Sequence, residues 1–152
     1  MIDGVLHPAF ILLAGALLIG FTRGHLRSAV LFAAPVATLW ALWQIPDGVV
    51  ATAYFLGYEI QPIEGSAVRR LFATIFTIMA FTGGLFAFRQ AKWYELAAGY
   101  AYAAGAVGVS FAGDLITLFL FWELMAIFST VVVWCGGTPE ARAAGIRYAI
   151  MH

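Results

Sequence analysis

The sequence predicts an all-α fold: a polytopic transmembrane helix bundle with five spans, the start of a sixth, and a short external hairpin between spans two and three. Two observations carry this. Hydrophobic residues make up 63% of the 152 positions and charged residues only 11%, against about 25% charged in soluble domains. So few charges cannot coat a globular surface, and mean hydropathy is +0.92. The apolar residues also fall into runs close to the roughly 20 residues that a helix needs to cross a bilayer. Barrel strands run to about 9–11 residues with alternating polarity, which these runs lack.

The first run, Val5–Thr22, reads as a retained span and not a signal peptide, because the first basic residue, Arg23, comes after it and Asp3 precedes it. The second is Ser28–Ile45. "PDGVVATAYFLGYEIQPIEG" follows, with β-favouring residues between Pro and Gly edges. Val49–Leu56 and Tyr58–Ile63 are expected to pair around Gly57 as a hairpin lying on the membrane face. The third run is Leu71–Phe88. The fourth, Leu96–Ala112, carries Gly99, Ala103, Ala104, Gly105, Gly108 and Ala112 at helical spacings, a pattern for close helix packing in lipid. The fifth, Leu115–Cys135, is parted from the fourth only by Gly113 and Asp114. The two should form a tight helical hairpin, with glycine making the turn and the carboxylate facing water. Thr138 and Pro139 suit the N-cap and first position of a sixth helix, beginning at about residue 139. The sequence stops at His152 before that helix could cross, so the chain is expected to be an N-terminal portion of something longer.

Charge sets the expected orientation. Arg23, Arg27, Arg89, Lys92, Arg142 and Arg147 follow odd-numbered spans, and Arg69 and Arg70 lie on the other side with Asp3, Asp47, Glu59, Glu64 and Asp114. The positive-inside rule then puts the N-terminus and residues 46–66 outside, in a bacterial inner membrane. Trp40, Trp43, Trp93, Tyr94 and Trp134 near span ends suit an aromatic belt. Eight Lys+Arg balance eight Asp+Glu, so no basic surplus points to nucleic acid. The single Cys135 excludes an intrachain disulfide, no His spacing suggests a metal, and no cofactor is implied. His7 and His25 read as interfacial.

The chemistry concentrates in "FLFWELMAIF", Phe119–Phe128, where Glu123 is the only ionisable residue. It lies nine residues past Asp114, about 13.5 Å along a helix, near the middle of a hydrocarbon core about 30 Å thick. A carboxyl there costs a few kcal/mol and should face the interior with a partner or a proton. Burial disfavours its charged form and a nearby cation favours it, so a group caught between them changes protonation when a charge moves. A protonated Glu making one structural hydrogen bond is the plainer alternative. His152, five residues beyond Arg147, is a second candidate proton carrier, or else a polar packing residue.

Asp114 onward, "FWELM", the Gly-rich turn and "GGTPEARAAGIRYAIMH" resemble the antiporter-like membrane subunits shared by Mrp-type multisubunit Na⁺/H⁺ antiporters, membrane-bound hydrogenases and respiratory complex I, with the D-type subunits of the Mrp antiporters nearest. "RLFATIFTIMAFTGGLFAF" is similar to the family's third helix, whereas "IEGSAVRRLF" lacks the acidic residue the family carries just before the basic one. The resemblance implies that Glu123 corresponds to a fifth-helix glutamate that pairs with a seventh-helix lysine in proton movement. It also implies a fold of roughly fourteen helices with inverted repeats, partner subunits of an antiporter or a respiratory-type complex, and transport of protons with Na⁺ or K⁺. Any redox chemistry, as in an NADH:quinone oxidoreductase-like or hydrogenase-like assembly, would belong to those partners. The rival expectation is a non-transporting membrane scaffold whose buried glutamate is structural.

Overall fold

A computed structural model describes residues 5–152; Asp3, counted above among the outer charges, lies outside them. Six helices and one two-stranded sheet follow in the order α1 (Pro8–Phe21), α2 (Gly24–Leu42), β1 (Gly48–Phe55), β2 (Tyr58–Gly65), α3 (Ala67–Ala87), α4 (Trp93–Phe111), α5 (Leu115–Trp134) and α6 (Pro139–Met151).

Local chemistry accounts for most boundaries. Pro8 opens α1, Ser66 caps α3 by accepting from the Arg69 N–H, and Thr138 caps α6 by accepting from the Ala141 N–H, with Pro139 first in the helix. The hairpin is antiparallel, with Phe55 opposite Tyr58. Its two-residue turn holds Leu56 at φ +50° and Gly57 at φ +86°, the primed geometry whose twist matches paired strands. β2 continues two residues past the expected Ile63. Register shifts at Val50 and at Gln61–Pro62 bend the ladder, the second where Pro62 has no N–H to donate.

Three helices, α2, α3 and α5, are long and apolar enough to cross a membrane. The expected first and fourth spans differ, for separate reasons. α1 has 14 residues, about 21 Å of helix against a core of about 30 Å. α4 is long enough but less apolar, carrying Glu95, Tyr94, Tyr100 and Tyr102. It can be, because it is the hub: α1, α3 and α5 all pack on it, so much of its surface meets protein instead of lipid. The small residues expected to allow close packing do so here. A Cβ on Gly105 would lie 2.6 Å from Met125 Cγ, and one on Gly108 would overlap the Phe121 ring.

One hydrogen bond ties three helices together. Pro35 lies inside α2 and has no N–H, which leaves the carbonyl four residues back, Leu31, without its helical partner. The buried Tyr100 hydroxyl of α4 donates to that carbonyl at 2.5 Å. Gly84 of α3 makes room, since a Cβ there would collide with the same hydroxyl.

Candidate functional site

Polar groups gather at the hairpin end, and a carboxylate lies at the middle of α5. At the hairpin end, Asp114 caps α5. Its Oδ1 accepts from the Ile116 and Thr117 N–H groups, both at 2.9 Å, and its Oδ2 from the Thr117 hydroxyl at 2.6 Å and the Gln61 N–H at 2.7 Å. Asp114 therefore does not simply face water, as expected, but pins β2 to the start of α5. Burial pushes its carboxyl upward, and the hydrogen bonds from Thr117, Gln61 and Ile116 together outweigh that and hold it below the usual range. Gly113 earns its place through proximity: a Cβ would sit 2.8 Å from Gln61 Cβ, while the Gly113 N–H donates to the Gln61 carbonyl at 2.9 Å.

His7, expected near a span end, is buried within the protein there. It precedes the first residue of α1 and is 4% exposed. Its Nδ1 accepts from the Ala9 N–H at 3.1 Å, so the proton sits on Nε2, which lies 3.2 Å from the Pro62 carbonyl and donates to it. The rings of Phe10, Phe111 and Phe121 surround it. Pro8, at a helix's first position, marks His7 as the preceding cap, a signal the sequence held. The basic pair at the start of α3 is neutralised here too. Arg69 binds Glu64 at 2.6 Å and the Ala112 carbonyl, and Arg70 binds Asp47 at 2.7 Å and the Ile45 carbonyl at 2.9 Å. Glu64, the ion-pair partner of Arg69, lies five residues before it.

Glu123 is the ninth residue of the twenty in α5, so it lies near mid-helix. The side chains of Phe121 and Met125 meet α4 at Gly108 and Gly105; Glu123 follows about 160° around the helix from both, on the opposite face. It is half-buried, and among the described residues no hydrogen bond or ion pair reaches its carboxylate. α6 turns back along α5. The Ser129 hydroxyl donates to the Tyr148 hydroxyl at 3.1 Å, and His152 lies with its ring 4.8 Å from Tyr148 and 6.4 Å from Trp122, the neighbour of Glu123. The structure thus brings His152 to the level of Glu123 without joining the two: His152 is exposed, and no hydrogen bond links them. No group of three or more His, Cys, Asp or Glu side chains among the described residues is placed to hold a metal.

Apolar helices of spanning length, packed around a helical hub and carrying one carboxylate at mid-helix, define a helical membrane protein. The comparison with curated proteins places a relative beside it. The chain is similar to the D subunit of a Na(+)/H(+) antiporter from Alkalihalophilus pseudofirmus (strain ATCC BAA-2126 / JCM 17055 / OF4), 29% identical over 119 residues, which cover 72% of this chain and 21% of that protein. The match thus spans about a fifth of the curated relative's length. No family model matches the chain, and no solved structure does.

Proposed function

We propose that the chain is part of an antiporter-like membrane subunit that moves protons, with Na⁺ or K⁺ as counter-ion, within a multisubunit complex, and that residues 1–152 form an N-terminal portion of that subunit's membrane domain. Glu123 carries the proton, and His152 is a secondary carrier at the same level. One observation carries the reading: a carboxylate at the middle of an apolar, spanning-length helix that no described group neutralises or hydrogen-bonds. Such a group is costly in hydrocarbon and marks a proton or ion path when it persists. Its face of α5, turned from the α4 hub, is where a cationic partner from another helix would approach. The relative's name supplies the ion exchange, and the bundle is read as crossing five times with residues 46–66 on the outer side.

The test is Glu123→Gln in the protein as encoded in its native complex, assayed in inverted membrane vesicles with a pH-sensitive dye during Na⁺ or K⁺ addition. Gln keeps hydrogen-bonding capacity but cannot titrate. Loss of most cation-dependent proton movement, with insertion and complex assembly unchanged, is expected. Normal exchange at equal expression would leave Glu123 structural and the chain a scaffold.

A further inference from the structure

At the end of the bundle away from the hairpin, a cleft of about 480 Å³ opens between the first turns of α2 and the end of α3. His25, Arg27 and Ser28 line it from α2, Arg89 from just past α3, and Leu31 and Phe88 give it an apolar floor. No acidic residue lines it. Arg27 is held in place: its Nε and Nη2 donate to the Thr22 carbonyl at 3.0 and 2.6 Å, which fixes the guanidinium plane while leaving Nη1 for another acceptor. Arg89 rests against the Phe88 ring, 5.3 Å from its centroid. Neither arginine has an ion-pair partner among the described residues, whereas both arginines at the hairpin end do.

We infer that this cleft binds the phosphate headgroup of an anionic phospholipid, with Arg27 and Arg89 as its two cationic ligands and the Ser28 hydroxyl as a further donor. A planar guanidinium matches two phosphate oxygens at once, and a basic pocket between helix ends at a membrane surface suits a lipid headgroup. The volume lies within the range of small-molecule sites. The apolar surroundings favour a lipid over a free ion. Leu31 and Phe88 floor the cleft, and Phe21 and Phe86, at the same end, are 86% and 78% exposed, giving acyl chains a surface to lie on. The site is independent of Glu123 and would stand if the proton-carrying role fell.

The protein as encoded, in proteoliposomes and probed with spin-labelled phosphatidylglycerol and phosphatidylcholine, tests this. The motionally restricted spectral component should show a clear preference for phosphatidylglycerol. Arg27→Gln with Arg89→Gln should cut that preference by up to roughly thirtyfold, the order expected for two surface cations, and Arg27→Lys with Arg89→Lys should retain most of it. Arg142→Gln with Arg147→Gln removes the same charge from α6 and should leave it nearly unchanged. An equal loss in both Gln pairs would mean diffuse attraction and overturn the site. Displacement of the labelled lipid by inorganic phosphate, but not by chloride at matched ionic strength, would assign the cleft to free anions instead. Should the double variant fail to insert, Arg89→Gln alone carries the test, because Arg89 is exposed and touches little besides Phe88; an unchanged preference there would overturn the pairing.

Discussion

The two ends of the bundle treat charge in opposite ways. At the hairpin end Arg69 and Arg70 are each locked to a carboxylate and a backbone carbonyl, Asp114 is filled with four donors, and neutral His7 bridges α1 to β2. At the other end Arg23, Arg27, Arg89, Lys92, Arg142 and Arg147 have no ion-pair partner among the described residues. Charges already satisfied by their own chain build structure: they fix the sheet, which has only two strands and would be marginal alone, onto three helix ends. Uncompensated charges remain available to the surroundings, to bias orientation or to hold an anionic headgroup.

The contrast can be broken or sharpened in order of effect. The largest is all-or-none. Cysteines introduced at Glu59 and Gln90, both exposed, in a Cys135→Ala background should label from opposite sides of a sealed vesicle with an impermeant thiol reagent. Labelling of both from one side would undo the two-ended arrangement across a membrane. His7 comes next. His7→Ala removes the α1 cap and the tie to Pro62 and should cost about 2–3 kcal/mol in unfolding experiments, whereas His7→Asn, which can still accept from Ala9 and donate to Pro62, should recover most of it. Equal losses in the two variants would mean that these hydrogen bonds contribute little.

Asp114→Ala removes the α5 cap and the tie to Gln61, and should cost about 2 kcal/mol in unfolding experiments, with faster proteolysis in the hairpin. Arg142→Ala, at the end with unpaired charges, should change stability by under about 0.5 kcal/mol. Equal effects would remove the distinction between the ends. The smallest effect is a gain. Leu56 holds φ +50°, a region that costs an ordinary side chain about 1 kcal/mol; Leu56→Asn should stabilise the hairpin by about 0.5 kcal/mol, read as slower amide exchange in both strands.

Much of the architecture was legible in the residues. The long apolar runs gave α2, α3 and α5; the Gly57 turn between β-favouring stretches gave the hairpin; Thr138–Pro139 gave the start of α6. These are local signals, set by hydropathy over some twenty residues or by one residue's backbone preference, so neighbours distant in sequence do not alter them. "FWELM" on its apolar helix pointed to the same relative that the comparison found. The small residues of α4 announced close packing, but not that three helices would share it. Its tyrosines and Glu95 lower its hydropathy, and only packing against α1, α3 and α5 makes that tolerable.

By itself, then, the sequence determined that the chain forms apolar helices of spanning length, and that one carboxylate lies midway along the fifth. The tertiary structure decided which polar groups are spent on structure and which are left over. Whether Asp114 faces water or Gln61, whether His7 is exposed or buried as a neutral cap, and whether an arginine meets a carboxylate or an open cleft depend on segments dozens of residues apart. The physical reason is that hydrophobicity acts along the chain through composition, while hydrogen bonds and ion pairs depend on distances of about 3 Å that exist only once the helices have packed.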